Sequence, residues 1–274
     1  LGASFPFSER SVFFVNFGDY VQFPLFDFLY SGLENVNLRD GVNVLRGNPD
    51  LLAEKTRAWE VSLRYELSED IVGSATYFRK ETTDQIDSKT FVPSNSRIAG
   101  DYGFSEYVNN PTASARGFEF LLSRPRGAVR GNLLYALMRT EGLSEYGDQG
   151  LNLAQWGFPV ASTPFPLSWD QRHTLKADIT LELPDGLQFD FVWQFHSGRP
   201  YTFYPSEDGF TADDPERPFI PNNRRMDDYS LLNLKVRRPL PMWWGVGLTA
   251  YIDARNVTDA RNVRWVDSSG RVGG

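Results

Sequence analysis

The chain has 274 residues, 28 Lys and Arg against 35 Asp and Glu for a net charge of -7, no cysteine, 15% aromatic residues and a mean hydropathy of -0.39. The acidic balance argues against nucleic acid as a partner, and the missing cysteines exclude disulfides and thiolate metal sites. The longest uncharged run, residues 149–169, carries Asn, Gln, Ser, Thr and three prolines, so no transmembrane helix is expected. The length admits one large all-β domain or two smaller ones. The start of the chain shows no basic region leading into an apolar run and a cleavage site, so either a cytosolic protein or a chain that begins inside a longer precursor is expected.

In chain order, residues 1–6 and 11–21 are predicted as strands around a turn at 7–10. Residues 57–67 place Trp59, Val61, Leu63, Tyr65 and Leu67 on one face and Ala58, Glu60, Ser62, Arg64 and Glu66 on the other. This period of two is that of a strand, whose successive side chains leave on opposite faces. Ser68-Glu69-Asp70 turns the chain into residues 71–81, where the faces are ambiguous because Ile71 and Tyr77 oppose Val72 and Phe78. Residues 116–124 and 129–140 pair across Pro125-Arg126-Gly127, with Phe118, Phe120 and Leu122 on the apolar face. Residues 174–183 carry Leu175, Ala177, Ile179, Leu181 and Leu183 against Lys176, Asp178, Thr180 and Glu182. Pro184-Asp185-Gly186 suits a tight hairpin loop, and residues 187–196 resume the beat with Phe189, Phe191, Trp193 and Phe195. Residues 229–238 and 246–256, bracketing 239–245, make ten strands in five hairpins.

The turns within hairpins are short, whereas the connections between them, 22–56, 82–115, 141–171 and 198–228, are long. A soluble β-sandwich alternates too, with its apolar face inward. Structureless loops above about 12–15 residues count against a compact soluble domain. An outer-membrane barrel instead pairs short periplasmic turns with long outer loops and uses spanning strands of about 9–11 residues. Trp59, Trp193, Phe195 and Trp243-Trp244 are expected as interfacial girdles. The beat is strict for an energetic reason: slipping residues 174–183 by one position would turn Lys176, Asp178 and Glu182 into lipid, at about 2–4 kcal/mol for a Lys at the midplane. Arg64, Arg116, Lys176, Lys235 and Arg237 are read as lumen charges paired with Glu66, Glu119 and Asp178 on neighbouring strands.

Six runs, GNPDLLAEKTRAWEVSLRYEL (47–67), YVNNPTASARGFEFLL (107–122), DQRHTLKADI (170–179), SGRPYT (197–202), NRRMDDYSLLNLKVRR (223–238) and YIDARNVTDARNV (251–263), together with the opening LGASFPFSERSVFFVNFGDYVQFPLFDFLY, resemble the C-terminal barrel half of TonB-dependent outer-membrane receptors. The resemblance covers nearly the whole chain in the family's order. It implies a transmembrane antiparallel up-and-down β-barrel, of which these ten strands are the C-terminal part of a total of 22, in the outer membrane of a Gram-negative bacterium. It also implies uptake of a scarce nutrient, a ferric siderophore, cobalamin or an oligosaccharide, with energy passed through TonB. The family's plug domain, TonB-contacting segment and aromatic-ended terminal strand are not seen, and Val257-Thr258-Asp259 replaces the more usual apolar-aromatic-Asn. Residues 1–274 are therefore expected to be the C-terminal portion of a longer receptor that engages the TonB complex through other parts. A passive channel or adhesion barrel is the alternative.

Ligand contacts are expected in the outer loops and on the lumen face near the outer rim. Candidates are the loop aromatics Tyr146, Trp156, Phe158, Tyr201, Phe203, Tyr204 and Phe210, which suit stacking on a sugar or an aryl siderophore; packing of loop on loop would use the same rings. The acidic groups Glu207-Asp208 and Asp213-Asp214-Glu216 lack a metal-ligand spacing, and no metal or cofactor is expected. Ser168, Asp170 and His173 are close enough in sequence to raise a hydrolase reading. The DQRHT run reads instead as a strand-start element held by rim hydrogen bonds, so the chain is not expected to be an enzyme. His196 is expected to be structurally paired.

Overall fold

The computed structural model describes residues 1–34, 45–91, 103–155, 157–158, 160–204 and 220–273. The elements in chain order are β1 (Gly2–Ser8), β2 (Ser11–Gln22), α1 (Phe26–Tyr30), β3 (Leu45–Arg46), β4 (Glu54–Ser68), β5 (Ile71–Phe91), β6 (Phe104–Arg124) and β7 (Val129–Gly142). They continue as α2 (Gln149–Gln155), β8 (Phe165–Pro166), β9 (His173–Glu182), β10 (Gln188–His196), β11 (Pro200–Tyr201), β12 (Arg224–Arg225), β13 (Tyr229–Trp243), β14 (Val246–Ala254), β15 (Trp265–Val266) and β16 (Val272–Gly273). Ten strands form an open antiparallel sheet in the order β1-β2-β4-β5-β6-β7-β9-β10-β13-β14. Each neighbour in the sheet is the next long strand in the chain, which is the up-and-down connection.

The register shows what the alternation is for. Phe5, Phe13, Leu63, Ala75, Phe120, Tyr135, Leu175 and Phe195 are paired in series across eight strands and share one face. Ser62, Thr76, Glu119, Ala136, Thr174, His196 and Tyr229 form the corresponding series on the other face. A soluble sandwich would cover the first series. Here Leu63, Phe118, Phe120, Leu122 and Leu133 are each at least 40% exposed. Apolar side chains kept open on one face of a long-stranded sheet belong to a wall whose outside meets lipid and whose inside is wet.

The ambiguous strand is now resolved: Tyr77 pairs with Val61 and Phe118 on the apolar face, and Phe78 pairs with Glu60 and Gly117 on the wet one. Three expectations are corrected. The connection 82–115 is largely strand, since β5 and β6 pair continuously out to Phe91↔Phe104. Its sequence hides this because beyond the hydrocarbon neither face meets lipid, so the apolar beat stops while the hydrogen-bond ladder goes on. The bracket 239–245 shrinks to a turn at Trp244 and Gly245, both at positive φ, after a register irregularity between Leu240 and Trp243. Arg116 faces outward with Phe118 and Phe120, not into the lumen.

The lumen ion pairs also differ from expectation. Arg237 bonds Asp190, 3.0 Å from its Nε, and Arg130 pairs with Glu182 at 2.7 Å. Arg64, Lys176 and Lys235 take no carboxylate partner among the described residues; Lys235 stands over the Tyr251 ring at 4.9 Å. Glu66, Glu119 and Asp178 form no ion pair among the described residues, because strand periodicity fixes the face a charge occupies but not which acid stands beside it. Of the expected girdle, Trp59 lies 4.3 Å from Phe17 at the outer end of β4, and Trp193 donates through its indole to Ser230. The Trp243 side chain lies outside the described residues.

A candidate ligand-facing site at the outer rim

The few fully buried side chains do not fill the sheet. They gather at the ends of the strands next to the long loops, where Phe165, Leu167, Asp87, Asp170 and Ser105 are at most 2% exposed. Two polar locks hold this rim.

The first fixes α2 to the hairpin that β5 and β6 extend beyond the apolar band. Asp87 accepts the Gly150 N–H at 2.9 Å and the Ser88 N–H at 2.7 Å, and its other oxygen accepts from the Asn110 amide at 3.1 Å. The Leu151 N–H reaches the Ser88 hydroxyl at 2.8 Å. A Cβ on Gly150 would stand 1.8 Å from the Ser88 carbonyl oxygen, so only glycine lets the helix come this close. Burial pushes the Asp87 carboxyl up from its ordinary value, and these donors offset only part of that rise. The folded hairpin thus holds the proton more tightly than the open chain does. The stabilisation is largest below the open-chain value of about 3.9 and is lost as pH rises through the higher folded value. Amide exchange, corrected for intrinsic rates, should show protection at Gly150 and Leu151 increasing from pH 7 to pH 4, and Asp87→Asn should flatten that profile; protection falling with acid would contradict the assignment.

The second lock joins the loop before β9 to the loop after β10. Asp170, with no exposed surface, accepts the Thr140 N–H at 2.6 Å and Arg172 Nε at 2.8 Å, and also pairs with Arg225. Arg225 donates in addition to the carbonyls of Asp170 and Gly198, at 2.7 and 3.1 Å. Beside it Glu145 accepts from the Ser168 N–H and the Asn222 amide, and the same amide donates to the Pro166 carbonyl at 2.8 Å. His173 points to the apolar face and shares a 2.8 Å hydrogen bond with the Tyr135 hydroxyl. Asp170 and His173 are therefore bonded to other partners, and among the described residues no hydrogen bond joins them to each other or to Ser168 as a hydrolytic set would need.

Four of the seven aromatic candidates come together. Phe158 meets Tyr204 edge-on at 5.1 Å, Arg224 lies over the Phe203 ring at 3.4 Å, and Tyr201 on β11 pairs in register with Arg224 on β12. The Tyr204 N–H is held by the Ser268 carbonyl at 2.6 Å, which places this group against the β15–β16 hairpin. Tyr146 sits apart beside α2, half exposed, its hydroxyl pushed up by burial. Trp156 and Phe210 lie outside the described residues, as do Glu207-Asp208 and Asp213-Asp214-Glu216. Among the described residues no group of three His, Asp or Glu is placed to hold a metal ion.

Below the aromatic group, on the wet face, opens a cavity of 530 Å³ lined by Lys176, His196, Arg199, Asp227, Tyr229 and Arg264, among others. Lys176, Arg199 and Arg264 have no ion pair among the described residues, and Asp227 is the one carboxylate in the lining. His196 shares a 3.3 Å hydrogen bond with Thr174 and lies against Tyr229, the structural pairing expected of it. This cationic cluster escapes sequence reasoning because 23 and 65 positions separate its successive members; pairing of β9, β10 and β13, with Asn262 hydrogen-bonded to Ser230 on β13, brings them together.

The sequence model of the family described as "TonB dependent receptor-like, beta-barrel" matches residues 1–257. No curated protein matches by sequence. Among solved structures, the outer membrane transporter YddB from Escherichia coli superposes with a TM-score of 0.68 at 12% identity, covering 96% of this chain and 37% of that one. The siderophore receptor PirA from Acinetobacter baumannii gives 0.63 at 16% identity, over 97% and 37%. The ferric-catecholate import receptor Fiu from E. coli gives 0.62 at 15%, over 99% and 32%. At these identities the likeness is one of fold, and the chain spans about a third of each structure's length.

Proposed function

The chain belongs to the TonB-dependent receptor-like β-barrel family, and we propose that it forms the C-terminal part of the wall of an outer-membrane receptor taking up a scarce nutrient with energy delivered through TonB. The plug and the TonB-contacting segment belong, in this reading, to the rest of the protein. The observation that carries it is the two-sided wall, apolar outside and polar inside, ending in a rim where buried acids lock two long loops above a cationic cavity. Loops fixed in this way present a preformed surface, which limits the ordering cost of binding. Phe158, Tyr201, Phe203 and Tyr204, with Tyr146, Trp156 and Phe210 in the same loops, are proposed to contact ligand from above, and Lys176, Arg199 and Arg264 from below. Of the three nutrient classes, a ferric siderophore fits best, because its complexes are commonly anionic and aryl-rich, whereas a neutral glycan would leave three cations unanswered. The names of PirA and Fiu accord with that class.

The test is uptake of iron-55 presented as a ferric catecholate by cells carrying the full-length receptor. Uptake is expected to vanish without TonB. Neutralising Lys176, Arg199 or Arg264 to Gln should weaken binding to whole cells by roughly tenfold each, the value of about 1.4 kcal/mol for one charge-assisted contact. Uptake that persists without TonB overturns the proposed energy coupling; undiminished binding by all three variants overturns the ligand class.

A further inference from the structure

The outward face carries a second feature that the uptake reading does not use. Register places Trp59, Arg79, Arg116 and Arg139 side by side on β4, β5, β6 and β7, with Phe17 completing the row on β2. Like charges directly opposite one another destabilise a sheet. Arg79 and Arg139 are each answered by a carboxylate on their own strand, Glu81 and Glu141. Arg116, between them, has no such partner among the described residues. Three guanidiniums in the row thus share two carboxylates and leave a net positive charge centred on Arg116, and Arg is the residue suited to hold a phosphate through two parallel N–H groups.

What lies beneath the row says what kind of anion. Next toward the membrane centre come Tyr77, Phe118 and Leu137, and below them a groove of 340 Å³ bounded by Leu63, Phe120, Leu122, Leu133 and Tyr135. Its floor is Gly73 and Ala75. A Cβ on Gly73 would meet the Leu67 side chain at 3.4 Å and nothing closer, so tight backbone packing does not demand the small residue, and the gap is open room. From position 79 to position 73 is about 20 Å of strand at ~3.4 Å per residue, or about 14 Å of depth at a tilt of ~45°, just past the middle of an apolar band about 25 Å tall. The row lies on the long-loop side of the apolar band, which is the outer leaflet.

We propose that this surface binds a phosphate-bearing lipid of the outer leaflet, with its headgroup on Arg116 between Arg79 and Arg139 and an acyl chain in the groove over Gly73 and Ala75. A soluble anion would satisfy the guanidinium and leave the groove unfilled, whereas a neutral lipid would fill the groove and leave the charge; only an amphiphile with an anionic head does both. The juxtaposed Phe17 and Trp59 fit the headgroup level, where aromatic rings collect at membrane interfaces.

The experiment is native mass spectrometry of the full-length protein released from detergent and titrated with phosphatidic acid, phosphatidylcholine or inorganic phosphate. Phosphatidic acid is expected to be retained in preference to phosphatidylcholine. At about a fivefold effect per cation near a lipid surface, Arg116→Gln should weaken it about fivefold and the triple Arg79, Arg116 and Arg139 to Gln variant about a hundredfold. Ala75→Leu, which fills the groove and leaves the charges, should weaken it too. Arg64→Gln, on the lumen face of the same wall, should change nothing. Heat-modifiable gel mobility reports that each barrel is folded, and Arg116→Gln alone decides the matter should the triple variant not fold. Equal retention of the two lipids, or no loss in Arg116→Gln, overturns the proposal. So does full displacement of phosphatidic acid by millimolar inorganic phosphate, which would mark a soluble-anion site, or a dimer that dissociates on Arg116→Gln, which would mark a protein partner.

Discussion

Phe120→Arg is expected to cost the wall about 2–4 kcal/mol in a lipid bilayer, while Glu119→Arg, one residue away, should change stability by less than about 1 kcal/mol. The apolar stretch of β6 runs Phe118, Phe120, Leu122 between Arg116 and Arg124, which puts Phe120 at its middle and the introduced charge at the depth where desolvation is worst. Phe120 also stacks 6.3 Å from Tyr135 and 6.4 Å from Phe118, so the substitution loses contacts worth a further ~0.5–1.5 kcal/mol. Glu119 lies in the polar series with Thr76 and Ala136, where a cation still meets water. Urea titration of the receptor refolded into phosphatidylcholine vesicles measures both. Equal costs, or a larger one for Glu119→Arg, would mean that the faces are assigned the wrong way round.

The same contrast explains what could be read in advance. Residues 57–67, 174–183 and 187–196 were legible as strands because each face meets one solvent along its whole length, and the residue types record which. Where the wall rises out of the membrane that record stops, and Thr82 to Phe91 form ladder without a beat. At Arg116 parity outranks charge: it stands two residues from Phe118 and so shares that face, as a residue at the polar boundary can. Of the candidate site, the loop aromatics were visible as residue types. Their grouping was not, since Phe158 and Tyr204 are brought together by chain folding rather than by spacing. DQRHT was recognisable as a rim element, but its partners Thr140 and Arg225 stand 30 and 55 positions from Asp170 and cannot be inferred from it.

That rim element carries the other large effect. Asp170→Ala should destabilise the outer loops by about 3 kcal/mol, because removing one partner of a buried ionic network strands the others. Arg172 and Arg225 keep about a third of their side-chain surface in water, which holds the cost at the lower end of the usual ~3–5 kcal/mol. The Thr140 N–H would also be left without its acceptor. Asp170→Asn keeps an oxygen for that N–H and loses the negative charge that both guanidiniums face, so an intermediate loss of about 1–2 kcal/mol is expected. Hydrogen exchange at the Thr140 amide and limited proteolysis within 197–228 separate the two variants, and unchanged protection in Asp170→Ala would refute the lock. The effect should reach the cavity, because Arg225 holds the Gly198 carbonyl next to Arg199. Ligand affinity is therefore expected to fall in Asp170→Ala even though Asp170, with no exposed surface, touches nothing that enters from outside.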